Sequence, residues 1–430
     1  MYVFKKDTFI NFNSLYNNSE VINIKKINYL ALNLIDIKGQ PFTIEPEFVE
    51  WLTGFTDGEG NFSITLREYS DNKFKSLQLT FQIGLHIDDK NSLEIIQSKI
   101  HCGKISVSGS GVNFFVNDIY SLKNIILPLF DQFKLRSSKL YSYNFFKEAV
   151  ELVYNKKHFT SEGKLEIIKL KESLKDFYNN PKSSNPKEIS LYWLLGFIEG
   201  DGSFSSANTS PRLKFENSII EANLFKLIKK SIGLNSQNIE YPKIRERGFN
   251  EKGTIVLNYS KIEFLYLNIL PVLEQLKWYT KKELDFKDWA IIVKLNYYGY
   301  HLISEGFNLI NLFKSRMNNF RLTTNKNYNG NLVITQKEID SVFFLPAPYE
   351  CYGPLRLQSG TYSLVSRPLF ILKSENNSNS LNDDFKIENK NFKNMNSLAQ
   401  YLSLDRKVII DCLKKGQTVK GFTIIWNYWN

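Results

Sequence analysis

The chain contains two copies of one pattern, and this internal duplication constrains its fold more than any other feature. "WLTGFTDGEGNF" begins at Trp51, and "WLLGFIEGDGSF" begins at Trp193, 142 residues later. The register persists downstream, where "LPLFDQFK" (127–134) matches "LPVLEQLK" (270–277). A match sustained over this length indicates a tandem duplication. We expect the two halves to be related by a pseudo-two-fold axis.

Each copy predicts the same order of elements. "NFSITLR" and "LQLTFQI" alternate apolar and polar residues, as half-buried strands do, and "KISVSGSGVNFFV" predicts a hairpin that turns at 108–111. Helices are predicted at about 89–100, 119–133 and 139–154. Asp88 or Asp89 is expected to cap the first of these, and Thr160 or Ser161 a later one. The chain therefore predicts an α/β (α+β) fold of two tandem αββαββα repeats.

The repeated helix places carboxylates at the end where they are least stable. Asp57 and Glu59 fall in its predicted last turn, just before Gly60. A helix C-terminus carries unpaired carbonyls and the negative pole of the helix, so cations belong there. Gly60 and Gly202 are expected to end the two helices as C′ residues. A single copy would favour a plain surface helix with solvated acids, but two copies in register favour a function.

Paired glycines suggest how the two helices meet. They are four residues apart in both copies, as Gly54 and Gly58 in the first and Gly196 and Gly200 in the second. Helices with such grooves can approach backbone to backbone, which brings Glu59 close to Asp201. Two carboxylates and the free helix-end carbonyls would form an oxygen-rich pocket that suits a hard cation such as Mg²⁺. A metal held there suggests phosphodiester hydrolysis.

Composition limits the partners. A net charge of +11 and a pI near 9.1 indicate a polyanionic binding partner. A membrane surface is the alternative, but no apolar run is long enough to span a bilayer. The first residues do not look like a signal peptide. Cys102, Cys351 and Cys412 are isolated, which argues against a disulfide framework or a zinc ribbon. The residues that dominate have codons rich in A and T, which favours an AT-rich genome such as an organellar one.

"LTGFTDGEG" (52–60) and "LLGFIEGDG" (194–202) resemble the signature of the LAGLIDADG homing endonucleases in their single-chain, two-repeat form. The resemblance covers about residues 47–324. It implies two antiparallel sheets that form a saddle over the major groove of DNA, and a magnesium-dependent double-strand DNA endonuclease. Such a protein is expected to be intron-encoded, mitochondrial and a monomer. The alternative is a maturase that binds its host intron RNA, alone or as a second role.

The eighth position of the motif implies that Glu59 and Asp201 bind the metal and are catalytic. The sixth position, Asp57 and Glu199, belongs more to the helix interface and helix end. The family also tends to carry a basic residue near the active site, and the matched pair here is catalytic Lys139 and Lys282, with Arg136 nearby.

Polar and basic residues on the outward strand faces are candidates for reading bases and phosphates. They are Arg67, Lys75, Gln78, Gln82, Lys104, Arg212, Lys214, Lys243, Arg245 and Arg247. The first half offers mainly Ser, Thr and Gln, whereas the second offers a denser set of cations. This difference predicts a non-palindromic DNA target.

The tail is expected to hold a second DNA-binding module. Two short helices, at about 397–402 and 406–414, have helix-turn-helix spacing. They are similar to the modular motif appended to several classes of intron-encoded nuclease, and a plain helical hairpin is the alternative. Its DNA contacts would be Arg406, Lys407, Lys414 and Lys415. The predicted domains are an N-terminal extension (1–46), the first repeat (47–180), a linker (181–190), the second repeat (191–324), a strand-rich segment with a linker (325–385) and the helix-turn-helix (386–430).

Overall fold

The computed structural model describes residues 31–67, 74–232, 244–247, 253–345, 369–373, 390–392, 395–415, 419–420 and 422–426. The chain divides into two compact units. The first unit comprises Met1–Ile291 and Lys314–Leu332, and the second comprises Ile292–Phe313 and Val333–Asn430. The sheets of both repeats lie in the first unit.

The first repeat follows a short hairpin of β1 (Leu32–Ile35) and β2 (Pro41–Ile44). It runs through α1 (Pro46–Glu59), β3 (Gly60–Arg67), β4 (Ser76–His86), α2 (Lys90–Ile100), β5 (Lys104–Ser108) and β6 (Gly111–Val116). A helix built from Ile119–Ser121, a π-helical turn at Leu122–Ile126 and Leu127–Gln132 comes next, then α3 (Lys139–Tyr154) and α4 (Ser161–Asn179). The strands form an antiparallel sheet of order β3-β4-β6-β5.

The second repeat has the same plan. It runs through α5 (Leu191–Asp201), β7 (Gly202–Ala207), β8 (Ser210–Ser218), α6 (Ala222–Ile232), β9 (Ile244–Arg247) and β10 (Thr254–Tyr259). Ile262–Phe264, a π-helical turn at Leu265–Ile269 and Leu270–Leu273 follow, then α7 (Lys282–Tyr297) and α8 (Ser304–Lys314). The sheet order is β7-β8-β10-β9. The repeated order, down to a π-helical turn at the same place, confirms the predicted α+β fold.

Three strands of the first repeat, β3, β4 and β6, bury most of their apolar residues, as alternation predicts. Phe62, Ile64 and Leu66 are buried on β3, whereas Thr65 and Arg67 between and after them are exposed. Burying the apolar side of each strand contributes most of the stability of such a sheet. The polar face is left for other contacts.

The glycines that end α1 and α5 do not adopt the conformation expected of C′ residues. Gly60 has φ −78° and ψ 156°, and Gly202 has φ −76° and ψ 150°, so both are already extended. A Cβ on Gly60 would lie 2.4 Å from Thr56 Cγ2, and one on Gly202 would lie 2.6 Å from Ile198 O. Glycine is needed here because the chain turns from helix into strand without room for a side chain.

The expected cap of the helix at 89–100 is also wrong. A 3-10 turn, Ile87–Asp89, precedes α2, and His86 Nδ1 accepts a hydrogen bond from Asp88 N at 3.2 Å. Asp88 and Asp89 instead direct their carboxylates toward other segments. At α4 the predicted Thr160 does serve as the cap, accepting from Gly163 N at 3.0 Å.

The second unit contains α9 (Gln336–Phe343), β11 (Leu369–Lys373), β12 (Lys390–Phe392), α10 (Met395–Leu402), α11 (Arg406–Lys415) and β13 (Phe422–Trp426). Its sheet has the order β12-β11-β13. The strand-rich prediction for 325–385 is wrong at α9, because Thr335 and Glu338 form a capping box that starts a helix. α10 and α11 lie where the two tail helices were predicted, and pack around Met395, Leu398 and Ile409. Among the described helices, none has the length and apolar character that a membrane span needs.

α1 and α5 pack with their backbones in direct contact. A Cβ on Gly54 would lie 1.9 Å from the carbonyl oxygen of Trp193, and the reciprocal contact at Gly196 is equally close. One turn later, a Cβ on Gly58 would lie 3.0 Å from Gly200 Cα. Non-bonded atoms cannot approach to 1.9 Å, so only glycine permits this packing. The two helix ends therefore lie side by side.

Replacing Gly54 with alanine should separate the two helices. We expect Gly54→Ala to lower the free energy of unfolding by about 3 kcal/mol, because overpacking here forces backbone apart from backbone. Urea denaturation measures the change. Gly111→Ala is the matched control, since its added Cβ would meet its nearest neighbour at 3.4 Å, an ordinary contact. Equal stability of the two variants would contradict this account of the interface.

Candidate functional site: paired acids and lysines at the helix ends

Two fully buried acids tie the paired helices together. Trp193 Nε1 donates a hydrogen bond to Asp57 Oδ2 at 2.8 Å, and Trp51 Nε1 donates to Glu199 Oε1 at 2.8 Å. Each bond joins one repeat to the other, so the pair is reciprocal across the interface. The sixth motif position thus lies in the helix interface.

The same acids bind the turn that precedes the third helix of their own repeat. Asp57 accepts from Arg136 N at 2.8 Å and from Ser137 N at 3.0 Å. Glu199 accepts from Thr280 N at 2.6 Å, the equivalent position in the second repeat. Burial raises the pKa of Asp57, and it raises the pKa of Glu199 to about 7, while these bonds act in the opposite direction. Each buried acid therefore fixes the turn that leads to a lysine.

Lys139 and Lys282 open α3 and α7, and both fold back onto the helix ends. Lys139 Nζ donates to Gly58 O at 2.5 Å and to Thr56 O at 3.2 Å. Lys282 Nζ donates to Gly202 O at 2.6 Å and to Gly200 O at 3.1 Å. The helix-end carbonyls expected to line a metal pocket are thus occupied by ammonium groups, so that expectation is wrong. The lysines also supply the positive charge that a helix C-terminus favours.

Glu59 and Asp201 lie at the adjoining helix ends and are both half-buried. Burial and then the negative charge of Asp201 raise the pKa of Glu59, and burial raises the pKa of Asp201. The positive charges of Lys139 and Lys282 oppose both shifts. Burial lowers the pKa of each lysine, and the acids oppose that shift. The four groups therefore form one electrostatically coupled cluster of two acids and two bases.

The two acids are not equivalent. Asn217 Nδ2 donates to Asp201 Oδ2 at 2.6 Å. Strand register places Phe215 opposite Gly202 and Ile83 opposite Gly60, so the position equivalent to Asn217 is Leu85, which has no amide. Sequence analysis missed Asn217, although the alignment of the two strands would have placed it at the pocket.

The donor set fits a hard divalent cation. Two carboxylates that burial and mutual repulsion make costly to ionise are stabilised by a positive ion between them. Within the described part of the chain, no group of three or more His, Cys, Asp or Glu side chains is placed to hold a metal. Glu59 and Asp201 are the two half-buried carboxylates at the adjoining helix ends.

Arg136 does not join the cluster. Its guanidinium is buried and forms an ion pair with Glu50, with 3.0 Å between Nη2 and Oε1. It also lies over the Trp193 ring, 5.9 Å from the centroid. Arg136 is therefore not one of the groups at the helix ends, because its guanidinium pairs with Glu50 on α1.

The described candidate DNA-contacting residues of the first unit lie on the polar strand faces, except Lys75, which directly precedes β4. Arg67, Lys75, Gln78, Lys104 and Arg212 are exposed, and Gln82 and Lys214 are half-buried. Lys214 forms an ion pair with Glu216, two residues along the same face. Arg245 and Arg247 pair in register with Val256 and Thr254. Lys243 lies outside the described residues.

One residue on this face was not foreseen. Phe115 on β6 pairs in register with Gln82 on one side and with Lys104 on the other, and it is only half-buried. Its neighbours Phe114 and Val116 are buried, so the alternation in "VNFFV" could have placed Phe115 outward. An aromatic ring among polar strand residues is of the kind that can contact the methyl group of thymine.

The tail candidates lie at the two ends of α11 in the second unit. Arg406 and Lys407 are exposed at its start, where Asp405 Oδ1 accepts from Lys407 N at 2.7 Å. Arg406 Nη1 donates to Asn396 Oδ1 at 3.3 Å. Lys414 and Lys415 end the helix, and their side chains lie outside the described part of the chain.

The fold and the site define a class of protein with two tandem repeats whose glycine-packed helices present a pair of acids flanked by lysines. A family model described as LAGLIDADG endonuclease matches residues 52–150 and 194–293. The match places one copy of the LAGLIDADG endonuclease pattern in each repeat.

Two curated relatives match more than half of the chain. The chain is 28% identical over 323 residues to an uncharacterized mitochondrial protein, RF1, of Saccharomyces cerevisiae, covering 70% of this chain and 66% of that protein. It is 31% identical over 260 residues to the probable intron-encoded endonuclease Cox1-I1b of Schizosaccharomyces pombe, covering 58% of this chain and 65% of that protein. The matched parts thus span just under two thirds of these relatives' own lengths.

Solved structures share the fold. The LAGLIDADG homing endonuclease I-GzeII, in complex with its DNA target, is 27% identical with a TM-score of 0.52, over 64% of this chain and 98% of that chain. I-SmaMI, bound to uncleaved DNA in the presence of calcium ions, is 24% identical with a TM-score of 0.53, over 62% of this chain and 97% of that chain. The second likeness concerns the fold alone.

Proposed function

We propose that this chain is a site-specific endonuclease of double-stranded DNA that requires a divalent metal, with Mg²⁺ as the natural ion. The observation that carries the proposal is the cluster of Glu59, Asp201, Lys139 and Lys282 at the paired helix ends. Two acids at the centre of a chain with a net charge of +11 would repel a nucleic acid unless a cation neutralised them. Metal-assisted phosphodiester hydrolysis gives this arrangement a purpose.

Glu59 and Asp201 would hold the metal, and water and phosphate oxygens would complete its ligands. When bound, the ion lowers the pKa of a water molecule and stabilises the negative charge that develops on the phosphate. Each lysine has three N–H donors, and its own helix end takes two of them. We assign the third donor of Lys139 and of Lys282 to a phosphate oxygen of the DNA.

The two strand faces would read a non-palindromic target. Gln82 pairs in register with Asn61 in the first sheet. The equivalent pair in the second sheet is Lys214 with Ser203. Amides at the first site suit directional contacts with bases, whereas ammonium and guanidinium groups at the second also gather phosphates. One chain carries both halves of the site, so a monomer is sufficient.

The remaining assignments rest on the relatives. The name of one yeast relative supports a mitochondrial location for this chain, and the name of another supports an intron-encoded gene. We assign α10 and α11 to a helix-turn-helix that extends the DNA contact through Arg406 and Lys407. Binding of host intron RNA is the second candidate, since the basic surface suits any nucleic acid, but it gives the paired acids no role. Affinity for intron RNA and for target DNA, compared at matched salt, distinguishes the two.

Neutral isosteres of the acids should separate binding from cleavage. We expect Glu59→Gln and Asp201→Asn, singly or together, to reduce cleavage by at least about 1,000-fold with Mg²⁺, because the metal loses its protein ligands. DNA affinity should be kept or slightly raised, as negative charge is removed. Cleavage of a target selected from a random library and gel-shift binding measure the two effects. Glu94→Gln, an exposed acid paired with Lys90, is the control. Unchanged cutting by the double variant would disprove the proposal.

The two half-sites should respond differently to changes in the strand faces. We expect Arg212→Gln to weaken binding to all related sites and to flatten the salt dependence of affinity by about one unit. Gln82→Ala should instead change which bases are tolerated in one half-site and leave the salt dependence as it is. Lys90→Gln, away from the strand faces, should change neither. If both strand variants gave the same salt slope and base preference, the proposed division would be wrong.

A further inference from the structure

Two acids outside the cluster occupy equivalent positions in the repeats. Asp89 ends the 3-10 turn Ile87–Asp89 after β4, and Glu221 ends the 3-10 turn Ile219–Glu221 after β8. Glu221 is buried, with 4% of its surface exposed, and Asp89 is half-buried. Burying a carboxylate costs free energy unless it is hydrogen-bonded, so each acid should have a partner.

The partner of each acid lies in the other repeat. Lys281 N donates to Asp89 Oδ1 at 2.7 Å, from the second repeat to the first. Ser138 N donates to Glu221 at 3.0 Å to Oε1 and 3.2 Å to Oε2, from the first repeat to the second. Ser138 and Lys281 are the residues immediately before Lys139 and Lys282. The two bonds are therefore reciprocal.

These bonds complete the anchoring of each pre-lysine turn. The two preceding amides are bound by the buried acid of the same repeat, Asp57 or Glu199. The third amide, directly before the lysine, is bound only from the other repeat among the described contacts. With the three preceding amides bound, the backbone that carries each lysine is held at a set position relative to the helix end that its ammonium group reaches.

We propose that Asp89 and Glu221 are crossed positioning residues, each holding the lysine of the other repeat against its helix end. Asp89 of the first repeat positions Lys282, and Glu221 of the second repeat positions Lys139. The inference rests on the proposed function, since it makes each catalytic lysine depend on both repeats. It also couples the two halves of the site through bonds other than those of the helix interface.

The two crossed contacts, Asp89 with Lys281 N and Glu221 with Ser138 N, are not equally strong. Asp88 reinforces the first, since Lys281 Nζ donates to Asp88 Oδ2 at 3.0 Å and Thr323 N donates to the same oxygen at 2.9 Å. The residue equivalent to Asp88 in the second repeat is Ile220, which has no polar side chain. Losing Glu221 should therefore disturb Lys139 more than losing Asp89 disturbs Lys282.

Cleavage rates of the two DNA strands test the crossing. Each strand of the selected target is labelled, and nicking is timed for Asp89→Ala, Glu221→Ala, Lys139→Met and Lys282→Met. We expect Asp89→Ala to slow the strand that Lys282→Met slows, and Glu221→Ala to slow the strand that Lys139→Met slows, by about 10- to 100-fold. Asp89→Asn and Glu221→Gln keep an acceptor oxygen and should recover most of the rate. Equal slowing of both strands, or the uncrossed pattern, would overturn the inference.

Chemical labelling of the lysines tests the same idea without cleavage. The DNA-free full-length protein is acetylated with an N-hydroxysuccinimide ester, and the rate at each lysine is read by mass spectrometry. Asp89→Ala should speed labelling of Lys282 several-fold but not of Lys139, and Glu221→Ala should do the reverse. Glu94→Ala, which loses only an exposed pair with Lys90, should change neither.

The two readouts separate the two proposals. Crossed labelling with a wild-type protein that cuts no DNA would reject the proposed function and keep the positioning roles. Normal cleavage with labelling unaffected by either variant would reject the positioning roles alone. If an alanine variant does not fold, judged by tryptophan fluorescence, Asp89→Leu or Glu221→Leu replaces it, because leucine keeps side-chain volume but has no acceptor, and the same faster labelling is expected. No change at that lysine would overturn the inference.

Discussion

The backbone contact between α1 and α5 is the constraint on which the rest of the first unit depends. The Trp193 carbonyl lies where a side chain on residue 54 would be, so only glycine fits there, and Gly58 packs against Gly200 one turn later. Because the helices touch along their backbones, their last turns end together. The acids at those ends are then close enough for the charge of Asp201 to raise the pKa of Glu59, and the strands that follow belong to two separate sheets. The same contact therefore places both the paired acids and the start of each repeat's sheet.

The contact creates an electrostatic problem that the surrounding residues solve. Two helix ends with negative poles and four acids within two turns would repel one another. The inner acids, Asp57 and Glu199, are stabilised by tryptophan and backbone N–H donors. The helix-end carbonyls are covered by Lys139 and Lys282. Glu59 and Asp201 are half-buried rather than fully buried. In the proposed function, a bound metal ion neutralises their negative charge. The positive charges of the two lysines thus offset the cost of placing acids at a helix C-terminus.

The sequence predicted those features that repeat or alternate. The duplication placed α1 against α5, and alternation assigned the buried face of β3. Both signals depend on the spacing of residue types, which is visible along the chain. The pairing of Lys139 with Gly58 was not visible, because it joins residues far apart and depends on how α3 returns to the helix end. For this reason the carbonyls were expected to be open to a metal.

Two local predictions were also wrong, because the residue type at each position is compatible with two different structures. Glycine after a helix can serve a left-handed turn or a crowded junction, and Gly60 serves the second. An acid before a helix can cap it or bind elsewhere, and Asp89 binds the other repeat. Arg136 was expected near the pocket, but Glu50 pairs with it in the helix interface. In each case a contact with a residue distant in sequence determines the local structure, and the sequence alone does not identify that residue.

The central claim is that the adjoining helix ends bring two carboxylates together to hold a metal. The most direct test is anomalous X-ray diffraction from crystals of the protein with Mn²⁺ and a duplex carrying its selected target. The account predicts an anomalous peak within bonding distance of Glu59 and Asp201 and of a DNA phosphate oxygen. It also predicts that the peak disappears in the Glu59→Gln, Asp201→Asn double variant. Manganese bound elsewhere, or a peak that persists in the double variant, would contradict the claim.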